Sequence, residues 1–263
     1  MKKSLVTLFF IAAATVAAPM QNAWADLKFG VAAEPYPPFT SKDPSGQWVG
    51  WEVDFMKALC ADIAEKCEIK EVAWDGIIPA LNAKAFDAVL ASMAITDKRK
   101  QVIDFSNMYY NSASVLVGAK DAGKDISPAA LKGKRLGAQV STTHATYATK
   151  VYGDAGAVVQ MYQTQDQANS DLAAGRLDYV EADGIALGAF LDSPAGACCA
   201  MLGAVPSAPD VFGQGVGLGL RKGEADLAAK LNKGIADLAA NGTLDKITST
   251  WKLTGKIILP AKK

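Results

Sequence analysis

An α/β chain folded as two lobes follows from three features. Strand and helix signals alternate from Leu27 to Ala119, and the alternation restarts at Lys134 after a polar interval. In addition, one helix-end, turn and strand pattern occurs twice. Alternation of this kind builds a mostly parallel sheet flanked by helices. The interval 120–128 carries Gly and Pro and marks the change from one lobe to the next. In the repeated pattern LNAKAFDAVLAS, Leu81 to Ser92, aligns without gaps to LAAGRLDYVEAD, Leu172 to Asp183. The alignment puts Ser92 and Asp183 at equivalent strand ends, facing one crevice from opposite lobes, and open α/β sheets bind ligands beyond such strand ends.

Residues 1–25 read as a secretory signal. Lys2 and Lys3 make the charged start, Leu5 to Ala18 the apolar centre, and Ala23-Trp24-Ala25 a small-x-small cleavage site before Asp26. The apolar run is shorter than the roughly 20 residues of a membrane span, and no cysteine stands at the cleavage point to take a lipid. Leu27 to Ala33 alternates as a strand and leads into the aromatic turn Glu34 to Phe39. Phe55, Met56, Leu59, Cys60 and Ile63 form a helical stripe. In an oxidising compartment a Cys60–Cys67 disulfide would pin the end of that helix to the next strand; two unpaired core thiols are the alternative.

The stretch Trp74 to Ser106 reads as a short helix, a buried strand over Phe86 to Ile95, and a polar turn that delivers Arg99. Thr96-Asp97 supplies an N-cap signal, and the helix it opens carries Lys98, Arg99 and Lys100 in its first turn, against the macrodipole. Solvation explains the two lysines, whereas a planar guanidinium just past a strand end suits a carboxylate. Ser114 to Ala119 is an apolar strand that crosses into the polar interval, and Lys134 to Val140 is strand-like. Ser141-Thr142-Thr143 then opens a helix through Tyr147, whose free N–H groups suit an anion. Cys198-Cys199 is either a vicinal disulfide or a pair of thiols. Gly-rich Gln214 to Leu220 reads as a strand returning to the first lobe, and Ala225 to Trp251 as two helices broken at Asn241-Gly242. The expected division is therefore 1–25 signal, 26–112 first lobe, 113–208 second lobe and 209–263 return to the first, with two chain crossings that act as a hinge.

The 27 basic and 27 acidic residues balance, and removing the two signal lysines leaves the chain slightly acidic. That balance argues against nucleic acid or an anionic membrane surface as partner. His144 is the sole histidine, with no metal-ligand spacing around it; no metal or cofactor is expected.

Several segments carry a resemblance in order along nearly the whole chain after residue 26: WDGIIPAL, FDAVLASMAIT followed by DKR, IDFS with the Tyr109-Tyr110 pair, LKGKRLGAQVSTTHATYA, DLAAGRLDYVEAD, GQGVGLGLRKG and NGTLDKITSTW. Together they resemble the polar amino-acid-binding proteins of bacterial ABC importers, the lysine/arginine/ornithine and histidine receptors of solute-binding protein family 3. The resemblance implies the two-lobed periplasmic binding protein fold with a two-stranded hinge. It also implies a monomeric periplasmic receptor that captures a polar, cationic L-amino acid and passes it to an inner-membrane permease.

By the same resemblance Arg99 takes the ligand's α-carboxylate, helped by the Ser92 hydroxyl, the Ala94 N–H and Thr143. Asp183 takes the α-ammonium, and Tyr36 and Trp74 clamp the side chain. The chain departs from the pattern at three places. The acidic residue of cationic amino-acid receptors falls at Ala33, with Glu34 next to it, a serine is replaced by Ala94, and a glutamine by His144. Glu34, Trp74, Gln139 and His144 are thus expected to set side-chain preference, and Tyr109 and Tyr110 to serve packing or the hinge. The competing readings are a dehydratase-like enzyme on the same fold, and a ligand sensor for a membrane receptor.

Overall fold

The structure, a computed structural model, describes residues 26–262; the signal segment and its cleavage site lie outside them. The first stretch of chain forms β1 (Leu27–Ala32), the short hairpin β2 (Ser41–Lys42) and β3 (Trp48–Val49), α1 (Trp51–Asp62), β4 (Cys67–Val72), α2 (Ile77–Asn82), β5 (Ala88–Val89), α3 (Asp97–Lys100) and β6 (Asp104–Tyr110). The second forms β7 (Ser114–Ala119), β8 (Arg135–Gln139), α4 (Thr143–Tyr147), β9 (Val158–Tyr162), α5 (Gln165–Ala173), β10 (Tyr179–Asp183), α6 (Gly184–Leu191) and β11 (Cys199–Ala204). The chain then passes through α7 (Pro209–Phe212) to β12 (Val216–Leu220), α8 (Ala225–Ala240) and α9 (Thr243–Thr250).

Two five-stranded sheets result, ordered β4-β1-β5-β12-β6 and β9-β8-β10-β7-β11. In each, four strands run one way and a single strand is reversed, β12 in the first sheet and β7 in the second. The reversed strands are the ones reached by crossing between lobes, so the two sheets have the same plan with the crossings exchanged. Both faces of each sheet are covered, which is why the strands read as apolar runs. The first lobe's core is aromatic: Phe39 stacks on Tyr110 at 4.8 Å, Phe55 on Tyr109 at 4.5 Å, and Trp51 lies against both tyrosines. α1 docks on α8 and α9, where the Trp51 indole N–H donates to Thr248 Oγ1 at 3.0 Å.

The repeat expected from sequence has a counterpart in backbone detail. Lys84 and Gly175 are both left-handed, at φ 62° and 70°, and end α2 and α5 alike. Asp87 accepts the Lys28 N–H at 3.0 Å and Asp178 accepts the Arg135 N–H at 2.8 Å, while each aspartate's own N–H returns to the same residue's carbonyl. Gly30 and Gly137, on β1 and β8, are covered by Phe86 and Leu177, the matching residues of the two runs.

Some expectations need correction. The buried strand over Phe86 to Ile95 is paired as a strand only at Ala88–Val89. Beyond it the chain stays buried but turns at Ser92, φ 50°, and rejoins the sheet through an isolated Ala94–Val216 bridge. Cysteine pairing is resolved at both places: Cys60–Cys67 ties the end of α1 to the start of β4, and Cys198–Cys199 are bonded to each other. The Asn241-Gly242 break falls between α8 and α9, with Gly242 at φ 80°.

A Cβ added at Gly30 would meet the Phe86 ring, and one at Gly137 would meet Leu177. Gly30→Ala and Gly137→Ala should each lower stability by about 1–3 kcal/mol, measured as denaturant midpoints. Unchanged midpoints would mean that these contacts yield freely.

Candidate functional site

A cleft of about 350 Å³ opens between the two sheets, at the ends of β1, β5, β8 and β10. Every site residue expected from sequence lines it: Glu34, Tyr36, Trp74, Ser92, Ala94, Arg99, Gln139, Thr143, His144 and Asp183. The open question at the first turn has a clear answer. Ala33 is exposed and outside the cleft lining, whereas Glu34 lines it and its carboxylate accepts the Trp74 backbone N–H at 3.2 Å.

Arg99 is positioned by the cap of its own short helix, where Thr96 Oγ1 accepts the Arg99 N–H at 3.2 Å. Its guanidinium donates to the Ala94 carbonyl at 2.9 Å and, across the cleft, to the Ser141 carbonyl at 3.2 Å. It also sits 5.4 Å over the Trp74 ring. Among the described residues no carboxylate pairs with it. Burial presses its pKa down to about 10. A desolvated cation satisfied only by carbonyls retains donor capacity for an anion. The Trp74 indole N–H donates to the Val140 carbonyl at 3.1 Å, a second bond from one lobe to the other.

Asp183 ends β10 and caps α6. Its Oδ1 accepts from the N–H groups of Ile185 at 2.8 Å and Ala186 at 3.2 Å, and its Oδ2 accepts from the Ser112 hydroxyl. Burial nevertheless raises its pKa, since desolvation outweighs those donors. An ammonium brought against it would favour the charged form and pull that pKa back down.

Ser92 lines the cleft and also contacts a buried acid. Its hydroxyl lies 3.1 Å from Glu52 Oε2 and its N–H donates to Glu52 Oε1 at 2.8 Å. Glu52, on α1 and fully buried, also accepts the Tyr109 hydroxyl. Desolvation raises its pKa to about 7 against the pull of those donors, with Asp183 adding to the rise. Tyr109 is therefore more than packing.

Thr143 begins α4 behind the N-cap Thr142, whose Oγ1 accepts the Ala145 N–H at 3.0 Å. Gln139 is buried and donates to the Gln163 carbonyl at 3.1 Å. The His144 Nδ1 lies 2.9 Å from Ser114 Oγ, and burial, with Arg99 adding, lowers its pKa to about 4.

Sequence reasoning missed Ser112 and Ser114, which line the cleft, and Glu52 and Glu181, which lie behind it. The available signals were an acid inside the helix stripe, an acid inside the strand YVEAD, and serines at a lobe crossing.

Residues 27–254 match the family model for bacterial extracellular solute-binding proteins, family 3. The chain belongs to that family. This family 3 protein is 40% identical to the L-arginine-binding protein of Pseudomonas aeruginosa, over 95% of this chain and 96% of the relative. It is 38% identical to the lysine/arginine/ornithine-binding periplasmic protein of Escherichia coli, over 95% and 97%. Among solved structures, an ancestral arginine-binding protein bound to arginine superposes with a TM-score of 0.79 at 34% identity, covering 86% of this chain and 97% of that one. An ancestral amino-acid-binding protein, a precursor of cyclohexadienyl dehydratase, superposes with a TM-score of 0.75 at 28% identity, over 86% and 94%.

Glu52 carries a pH prediction. The folded family 3 protein holds the Glu52 proton up to about pH 7, while the unfolded chain releases it near the ordinary value of 4.5. Stability should therefore fall as pH rises between those values. Between pH 5 and 8 the wild type should lose more stability than Glu52→Gln, by roughly a few kcal/mol; parallel pH curves would contradict the assignment.

Proposed function

We propose that this chain is a periplasmic receptor for a cationic L-amino acid, arginine or lysine, which it encloses between two lobes and delivers to an inner-membrane ABC permease. The observation that carries the reading is the half-buried Arg99 guanidinium, without a carboxylate partner among the described residues, in the same cleft as the buried Asp183. A zwitterion's α-carboxylate and α-ammonium match those two groups.

In this reading Arg99, the Ala94 N–H and the start of α4 at Thr143 hold the carboxylate. Asp183 holds the ammonium, with the Ser92 lone pairs as further acceptors. Tyr36 and Trp74 flank the aliphatic stem, and Glu34 meets the distal cation, with Gln139 and His144 completing the wall. The arginine and lysine/arginine/ornithine binding of the relatives supports the substrate class.

The lobes divide near residues 112/113 and 208/209, and closing about those two crossings buries the ligand and forms the docking surface for the permease. Cleavage after Ala25 releases the chain to the periplasm. The protein works by binding and not by turnover. The arginine and lysine/arginine/ornithine relatives are binding proteins, and in this reading both cleft carboxylates, Asp183 and Glu34, are used to hold the ligand.

Calorimetry on protein refolded from denaturant, to strip carried-over ligand, tests the assignment. Arg99→Ala should weaken L-arginine binding by roughly a hundredfold or more, and retained affinity would remove Arg99 from the site. Glu34→Gln should weaken arginine and lysine by about tenfold or more while sparing glutamine. Equal losses for all three would remove Glu34 from side-chain recognition.

A further inference from the structure

Glu181, Ser114 and His144 form a line of polar groups from the second lobe's core to the cleft. Glu181, on β10 two residues before Asp183, is fully buried; its Oε1 lies 3.1 Å from Ser114 Oγ and its Oε2 has no partner. Ser114 Oγ lies 2.9 Å from His144 Nδ1, with the Ala182 carbonyl farther off at 3.5 Å. His144 lines the cleft, its Nδ1 is turned to Ser114, and its Nε2 has no hydrogen-bond partner among the described residues.

Two proton arrangements use the short contacts; a third, in which Ser114 accepts from both Glu181 and Nδ1 and donates to the Ala182 carbonyl, relies on a 3.5 Å contact too long for a strong bond. In one of the two, Glu181 is a carboxylate, Ser114 donates to it, and His144 donates from Nδ1 to Ser114, which leaves a bare Nε2. That arrangement keeps a full negative charge in the core with one donor, an orphaned oxygen and no ion-pair partner. In the other, the neutral Glu181 O–H donates to Ser114, Ser114 donates to Nδ1, and Nε2 carries the proton. The second arrangement buries no charge.

Burial pushes the Glu181 carboxyl well above its ordinary value. The charged and titratable groups facing the line are Arg99 at the His144 end and Tyr147 and Tyr152 at the Glu181 end. None of them offers Glu181 a cation.

We propose that Glu181 and Ser114 are positioning residues that hold His144 as its Nε2–H tautomer, making the cleft wall near Arg99 a donor surface. That wall selects an oxygen acceptor on the ligand and directs a ligand cation toward Glu34. The ligand half of the inference rests on the receptor reading; the tautomer half does not.

His144 is the sole histidine, so the imidazole nitrogen NMR spectrum of the ligand-stripped full chain at neutral pH reads it directly. The expected result is a protonated Nε2 and a bare Nδ1. Glu181→Gln should keep that pattern because its amide N–H replaces the acid O–H. Glu181→Leu and Ser114→Ala should lose it and show mixed tautomers. A protonated Nδ1 in the wild type, or a reversal in Glu181→Gln, overturns the proposal. In L-arginine titrations Glu181→Leu should bind about tenfold more weakly, with Glu181→Gln close to wild type. Equal affinities in the two variants would overturn the selectivity half. If the wild type does not bind arginine, the arginine reading fails, and the spectrum alone decides the tautomer.

Discussion

In each sheet the one reversed strand is the strand the chain enters on crossing from the other lobe. β7 is reached only after leaving the first lobe, and β12 only after leaving the second. This exchange ties the lobes together through two crossings and brings the ends of β1, β5, β8 and β10 to a common cleft. It explains why the site is assembled from distant sequence: Glu34, Ser92 and Arg99 on one side, Gln139, His144 and Asp183 on the other. The disulfide Cys60–Cys67 and the α1/α8/α9 packing stiffen the first lobe behind this arrangement.

Within the cleft the controlling quantity is desolvation. It depresses Arg99 and His144 and raises Asp183, Glu52 and Glu181, so these five groups are held away from their solution behaviour. Arg99 and Asp183 are each satisfied by neutral groups, and a ligand of complementary charge stabilises both. Glu52 and Glu181 lie behind the lining as buried acids, one under Ser92 and one under Ser114. In the two lobes a serine therefore stands between a buried acid and the cleft.

The bonds of Arg99 to Ser141 and of Trp74 to Val140 cross the cleft through backbone carbonyls. Such bonds depend on no side chain of the second lobe, so opening exchanges them for water at small net cost. The aromatic core under Tyr109 and Tyr110 lies next to the first crossing. There the hydroxyl of Tyr109 reaches Glu52, linking hinge-side packing to the Ser92 turn.

Local pattern was enough to determine much of this protein. Alternating strands and helices, the caps at Thr96 and Thr142, and the paired runs ending at Ser92 and Asp183 depend on short-range periodicity and turn chemistry, which the chain carries in order. The lining residues were legible for the same reason, since they stand at the ends of readable strands. Tertiary structure alone decided the rest. It turned Glu34 and not Ala33 into the cleft, bent the chain at Ser92 after only a short β5, set Ser92 against Glu52, and lined up Glu181, Ser114 and His144. Those outcomes depend on which side chains meet across the two crossings and how much water they exclude, and neither is encoded in local spacing.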